Sequence, residues 1–420
     1  MSEDAHWSTW DAAIDTAVTA LEPRLVEVRR HLHAHPEPSR EERETSRFLF
    51  EQLLSAGLPA RLGRNGLGVL ADLDVGSPSP ETPRIALRAD IDALRIPDSK
   101  QTPYASQHPG LCHACGHDAH SAIIVGAALA AAAVGRDAAD EPVALRPLRL
   151  RFIFQPAEET GEGGQWMVEQ GAVDDCVAIL GCHVDPDRKL GTVGIRYGVL
   201  TANCDEVEVI VEGRGGHAAR PHQTQDPIAA AAQLVTALFQ FLPRAVDARS
   251  PHVFSVGRIC GGTLPNVIPH RVEILGSLRT LDRDVRQKLK DRIEAIVHGA
   301  KEASGTSMHL RFFESIDSVV NDPHVTSSLE AAARAVLGAE GIDLISHPSM
   351  GGEDFSAYLT RVPGAMLRLG VSPPGFSSPL LHSTDFDIDE RALPLGVRIL
   401  LRAAVRLSTH PPLLEPAAAI

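Results

Sequence analysis

Three histidines, two cysteines and an aspartate fall within the ten residues Leu-Cys-His-Ala-Cys-Gly-His-Asp-Ala-His, 111–120. Thiolate and imidazole are good ligands for zinc and its neighbours. Gly116 lets the backbone bend so that Cys115 and His117 can face one ion. Cys112 and Cys115 also form a C-x-x-C, which a redox pair or half of a structural zinc site would use equally well. The remaining cysteines, at 176, 182, 204 and 260, supply no second C-x-x-C. A second signal is Phe-Gln-Pro-Ala-Glu-Glu, 154–159, where Glu158 and Glu159 follow the apolar run 148–154. Adjacent carboxylates can divide labour, one binding metal and the other moving protons; in isolation they fit a solvated acidic turn better. Asp90 and Asp92 follow the apolar run 85–87, and His183 follows 177–180. A site that collects groups from several strand ends is what an α/β sheet favours. His382, in Leu-His-Ser-Thr-Asp, is a further candidate that alone reads as ordinary surface.

A separate cluster, Gly-Arg-Gly-Gly-His-Ala-Ala-Arg-Pro-His at 213–222, reads as a tight loop. No Gly-Lys-Ser/Thr follows, so it is not a phosphate loop. Asn266 lies in Pro-Asn-Val-Ile-Pro. Arg279, in Leu-Arg-Thr, could clamp a carboxylate or form a surface ion pair.

The elements that position these groups are legible in outline. Ile14, Val18, Leu21, Leu25, Val28 and Leu32 recur at helical spacing, with an interruption expected at Pro23. Ser-Arg-Glu-Glu, 39–42, fits a capping box that starts a second helix. Strand-like runs at 66–72, 84–89, 148–155 and 177–182 alternate with helix-like runs at 118–134 and 161–170, the pattern of an α/β domain with a largely parallel sheet. Beyond 197 the texture becomes strand 205–211, helix 226–241, strands 252–259 and 271–279, and helix 283–303, a β-α-β-β-α order that fits a small α+β domain. Helices and a strand at 364–370 then resume. The expected organisation is a larger α/β domain, 1–196 plus 314–420, interrupted by a smaller inserted domain, 197–313.

The 420 residues carry a net charge of −14, which leaves no basic excess for phosphates and argues against a nucleic-acid binder. The longest apolar stretch, 122–134, is alanine-rich and shorter than a bilayer span, and residues 1–10 lack the basic and apolar regions of a secretory signal. The expectation is therefore no membrane partner and a reducing cytoplasm.

Together, RRHLHAHPE (29–37), LRADIDAL (87–94), HACGHDAH (113–120), FQPAEE (154–159), GCHVDP (181–186), GGHAARPH (215–222), GTLPNVIP (262–269), GGEDFSAY (351–358) and LHSTDFDIDE (381–390) resemble the hippurate hydrolase family. These are N-acyl-amino-acid amidohydrolases within the di-metal aminoacylase and carboxypeptidase clan. The motifs stand in the family's order along nearly the whole chain, and HACGHDAH with FQPAEE is the most specific pair. The resemblance implies two divalent ions per subunit (zinc, manganese, cobalt or nickel) and a ferredoxin-like lid that forms a homodimer. It implies Cys115, His117, Glu159, His183 and His382 as metal ligands and Glu158 as general base. It also implies Asp92 as the carboxylate that orients a ligand, His217 as the lid group that stabilises the oxyanion, and Asn266 and Arg279 as the groups that hold the substrate carboxylate. The substrate implied is a small N-acyl amino acid. Two departures stand out: Arg95 replaces the usual proline after Asp-Ala-Leu, and His-Ser-Thr replaces His-Asn-Pro at 382–384. Neither removes a ligand. The nearest rival is a dipeptidase or carboxypeptidase of the same clan, against which Asp90 counts, because many of those peptidases place a histidine ligand there. A metal-free cysteine hydrolase built on Cys115 would leave Glu159, His183 and His382 unexplained. A non-catalytic binding protein would be expected to have lost a ligand or Glu158.

Overall fold

A computed structural model describes residues 3–140, 145–373, 375 and 379–413. Two compact units divide the chain. The first comprises Met1–Gly198, Val320–His347 and Asp354–Ile420; the second comprises Val199–Val319 and Pro348–Glu353.

The first unit is built on an eight-stranded sheet in the order Ala60–Leu62, Val69–Val75, Leu148–Gln155, Arg84–Asp90, Cys176–Lys189, Gly364–Ser372, Val193–Ile195, Ile342–Leu344. Its central strands, Leu148–Gln155 to Gly364–Ser372, pair in parallel, while the edge beyond Leu148–Gln155 is antiparallel. All seven residues of Arg84–Asp90 are buried, as a strand covered on both faces requires. Helices Glu3–Ala34, His117–Asp140 and Ala392–Thr409 pack on one another and share this core. The expected parallel α/β architecture is present.

Three local expectations change. Pro23 does not interrupt the first helix, which runs through it from Glu3 to Ala34; Ile14, Val18, Leu25, Val28 and Leu32 are buried on both sides of it, and that burial outweighs the one lost hydrogen bond. Ser39–Glu42 is not a capping box. The second helix, Arg43–Ser55, starts with Glu42 at its N-cap and no side-chain cap bond; Ser39 Oγ instead donates to Asp92 Oδ2 at 2.6 Å. The apolar run at 122–134 belongs to the longer helix His117–Asp140, whose span 117–138 is long and apolar enough to cross a bilayer. It is 83% buried over its most apolar window, so it is the core helix of this unit.

The second unit holds a four-stranded antiparallel sheet in the order His252–Cys260, Arg271–Thr280, Asn203–Glu212, Ser307–Ile316. Helices Pro227–Phe241 and Arg283–Ser304 bury Leu234, Leu238, Leu289 and Ile293 in one cluster with Val207, Val209, Val211, Val272 and Ile274, so both helices cover the same sheet face. Asp226 and Asp282 cap these helices, each accepting backbone N–H bonds. The β-α-β-β-α-β order is ferredoxin-like. Its closing strand, Ser307–Ile316, had no counterpart in the sequence reading and carries the unit on to Val319.

Candidate metal centre

Most of the candidate groups of the first unit stand at or near a strand or helix end; His183 lies within strand Cys176–Lys189, and His382 lies in a turn. Strand Arg84–Asp90 delivers Asp90 and, two residues on, Asp92; both are buried. Strand Leu148–Gln155 leads into Pro156-Ala157-Glu158-Glu159. Ala157 adopts φ 56° there, a left-handed backbone unusual for a residue with a Cβ, and its N–H donates to Glu42 Oε1 at 2.7 Å. Glu42, which was not among the sequence candidates, thus fixes the turn that carries both glutamates. Cys115 and His117 flank Gly116, at φ 84°, where an added Cβ would collide with Val184 Cγ2. His382 is itself left-handed, at φ 63°, and its N–H donates to Ala114 O at 2.7 Å. The last ligand segment is thereby tied to the Cys115 loop.

These segments bring Cys115, His117, Glu158, Glu159, His183 and His382 together. Cys115 Sγ lies 3.5 Å from His183 Nε2 and 3.4 Å from His382 Nε2. His117 Nε2 lies 3.8 Å from Glu158 Oε2 and 3.9 Å from Glu159 Oε1, and Glu159 Oε1 is 3.6 Å from His382 Nε2. Three sets, Cys115/His117/His183, Cys115/Glu159/His382 and His117/Glu158/Glu159, each converge their donor atoms within 4.8 Å. The sets overlap at Cys115, His117 and Glu159, as ligands arranged around two neighbouring cations would.

The tautomers agree. His183 Nδ1–H donates to Val184 O at 2.7 Å, and His117 Nδ1–H to Asp92 O at 2.9 Å and Asp92 Oδ1 at 3.1 Å. A carbonyl only accepts, so both rings turn an Nε2 lone pair toward the cluster, the arrangement that orients metal-binding histidines. Asp92 also accepts from Glu159 N at 3.0 Å and so holds two candidate ligands at once. His120 is different. Its Nδ1 meets Asp90 Oδ1 at 2.6 Å and its Nε2 accepts from Val184 N at 2.9 Å, while Asp90 Oδ2 takes Arg88 Nη1 at 2.6 Å. Asp90, His120 and Arg88 therefore form a buried polar support beneath the cluster. The two cysteines of the C-x-x-C do not share one site: Cys115 faces the cluster, whereas Cys112 lies with His33 and Asp98, and its Sγ meets Lys100 Nζ at 3.6 Å, an ammonium that is itself 2.9 Å from Asp98.

The electrostatics suit cations. Burial, then the charge of Glu159, pushes the Cys115 thiol well above the ordinary range, and burial raises Glu159 to about 7, with His117 opposing and Asp92 reinforcing. Burial also lowers His183, aided by Arg368 and His120, and lowers His382. Cys115 and Glu159 are thus pushed toward neutrality while His183 and His382 keep their lone pairs, as in a site short of positive charge. His117 is the exception: burial opposes, but Asp90, Cys115 and Asp92 raise it well above the usual imidazole range, so a cation bound at its Nε2 would displace a proton. His117 Nε2 and Glu159 Oε1 are buried, reach no hydrogen-bond partner and point into the cluster. Leaving such atoms unmatched is costly, and a bound cation satisfies both. A thiolate, imidazole and carboxylate donor set fits zinc and its divalent neighbours.

The other sequence candidates lie in the second unit. His217 ends the short strand Gly216–His217, which pairs with Val267–Ile268, and Ala218 N donates to Asn266 O at 3.1 Å, so His217 and Asn266 share one local structure. His217 Nδ1 accepts from Ala219 N at 3.0 Å, which leaves the proton on Nε2 as a donor. Arg279 lies in strand Arg271–Thr280, opposite Cys204, and donates to Met350 O at 2.9 Å.

Comparison with known proteins accords with this arrangement. A probable hydrolase of Synechocystis sp. is 41% identical over 388 residues, covering 91% of this chain and 95% of its own. The N-acetyl-L-cysteine deacetylase of Bacillus subtilis is 38% identical over 391 residues, covering 93% and 89%. The crystal structure of the Bacillus subtilis YXEP protein, described as a dinuclear metal binding peptidase, superposes with a TM-score of 0.76 at 31% identity, covering 93% of this chain and 99% of that one. The profile of peptidase family M20/M25/M40 matches residues 86–406, a span that begins in the Asp90 strand and extends past His382, and the chain belongs to that family.

Proposed function

We propose that this hydrolase of amide bonds acts on N-acyl amino acids, releasing a carboxylic acid and the free amino acid. The observation that carries the reading is the pair of buried, unmatched ligand atoms, His117 Nε2 and Glu159 Oε1, within a cluster that also holds Cys115, His183, His382 and Glu158. Similarity to a deacetylase of an N-acyl amino acid supports the substrate class. Cys115, His117, Glu159, His183 and His382 hold two divalent cations, zinc, manganese, cobalt or nickel. Bound there, the cations polarise the scissile carbonyl and make water more acidic.

The chain's own groups do the rest. Glu158 takes a proton from the attacking water and returns it to the departing amine nitrogen. Asp92 keeps His117 in the Nε2-ligating tautomer, and through Glu159 N–H it fixes the second ligand. His217 donates its Nε2–H to the oxyanion, and Asn266 with Arg279 holds the substrate's α-carboxylate. The inserted unit serves as lid and homodimer interface. Its outermost strand, His252–Cys260, exposes Val253 and Ile259, and helix Pro227–Phe241 exposes Ile228, Phe239 and Phe241, an unpaired edge beside apolar side chains that a second copy would cover.

The test is hydrolysis of a panel of N-acyl amino acids and dipeptides, before and after chelation, with each metal restored in turn. Cleavage of N-acyl amino acids that is lost on chelation and regained with metal supports the reading. Activity that survives complete metal removal overturns the mechanism, and a preference for dipeptides replaces the substrate class.

A further inference from the structure

A second group of histidines lies outside the catalytic cluster, where the first helix ends. His31 and His35 stand four residues apart at that end, and His108 belongs to the loop that leads to Cys112 and Cys115. All three line a cavity of about 360 Å³ whose wall also includes Glu44, Arg47 and Glu51. His35 Nδ1–H donates to His31 O at 2.8 Å, and His108 Nδ1–H donates to Pro36 O at 2.9 Å. A carbonyl cannot donate, so both imidazoles have their lone pair on Nε2. The same device fixes His117 and His183 in the catalytic cluster. The ring relation is also the same: His35 and His108 are 6.2 Å apart at 88°, and His117 and His183 are 6.4 Å apart at 87°.

The surroundings hold this pair in place. His31 stacks on His35 at 4.6 Å and on Phe48 at 4.0 Å, which fixes the His35 ring. Gln107 N donates to Ala34 O at 2.9 Å, which fixes the loop beside the helix end. Arg47 pairs with Glu44 and Glu51, but its side chain is 63% exposed and can turn to solvent at small cost, freeing both carboxylates. Burial, then the neighbouring His35, lowers the pKa of His31, so the group faces the cavity without a fixed imidazolium there.

We propose that His35 and His108, completed by a carboxylate of Glu44 or Glu51, form an auxiliary site for a borderline divalent cation such as zinc, nickel or cobalt. An ion held there clamps the 98–112 loop, and with it the approach to Cys115, to the end of the first helix. None of these residues belongs to the proposed catalytic machinery.

The test is zinc content per chain after equilibrium dialysis of the full-length protein, for the wild type and for His35→Asn/His108→Asn. The variant is expected to bind one ion fewer and to keep wild-type turnover at saturating zinc. Equal zinc content in the two proteins overturns the site. A second background separates this outcome from failure of the catalytic reading. In Cys115→Ala/His382→Ala, one zinc is expected to persist and to vanish when His35→Asn/His108→Asn is added. Persistence of that ion in the quadruple variant refutes the assignment, as does its absence before the histidines are changed. Thermal unfolding of each variant confirms that it is folded.

Discussion

Arg29 joins three segments of the first unit, and its removal has a calculable cost. Its side chain is fully buried. It donates to Asp118 at 2.8 Å, Asp387 at 2.6 Å and Glu390 at 3.3 Å. Asp118 follows the candidate ligand His117, while Asp387 and Glu390 follow His382, so one guanidinium ties both ligand arms to the first helix. Arg29→Met keeps most of the side-chain volume and removes the charge. Asp387 and Glu390 are 25% and 15% exposed and can regain water, whereas Asp118, at 1%, keeps only His33 Nδ1 at 2.7 Å. The loss therefore falls mainly on Asp118, and breaking a buried pair of this kind costs about 3–5 kcal/mol. Adding Asp118→Asn removes the stranded charge, so the double variant should be less destabilised than the sum of the singles by about 1–3 kcal/mol. Urea unfolding of the metal-free protein measures both. Zinc affinity of the folded variant should fall roughly 10–100-fold, the usual consequence of losing a group that orients ligands. An Arg29→Met protein within about 0.5 kcal/mol of wild type, as an ordinary surface change would be, with unchanged zinc affinity, would refute this account.

Other perturbations follow from the same structure. Gly116→Ala combines a left-handed backbone with a collision at Val184, and about 2–5 kcal/mol of destabilisation should appear in denaturant unfolding together with weaker zinc binding. Glu42 is pushed up to about 8 from 4.5 by burial, then by the charge of Asp92. In the metal-free protein the unfolded chain releases this proton first as pH rises, so stability falls between those two values by a few kcal/mol in all and levels off above them. Glu42→Gln should flatten that slope and be more stable than wild type at pH 8, which urea titrations at several pH values would reveal. Asp226→Ala removes the side-chain cap of helix Pro227–Phe241 and should destabilise the second unit by about 1 kcal/mol without altering zinc content.

Much of the candidate site could be read from the sequence because several of its polar groups lie close to the ends of apolar runs. Asp90, Glu158 and His183 each follow such a run, and a parallel sheet brings strand ends together whatever the distance along the chain. Groups whose partners are remote were not legible. Ser39 and Glu42 carry a local capping signal, yet they bond to Asp92 and Ala157 across the fold. No spacing rule reveals such tertiary competition. His120 stood inside the most conspicuous motif, but only the bonds to Asp90 and Val184 identify it as support rather than ligand. Pro23 misled because intrinsic propensity yields to a helix whose buried face continues on both sides. The strand Ser307–Ile316 does alternate, with Met308, Leu310 and Phe312 between Ser307, His309 and Arg311, so it was legible though overlooked; its pairing with Asn203–Glu212 completes the second sheet.

Metal content and turnover of Glu158→Gln, measured on the same preparation, decide whether Glu158 moves the proton in a two-metal hydrolase. Two divalent ions per chain, as in wild type, are expected, with hydrolysis of the preferred N-acyl amino acid reduced by about 10²–10⁴-fold. Turnover near the wild-type rate with both ions bound would contradict that role.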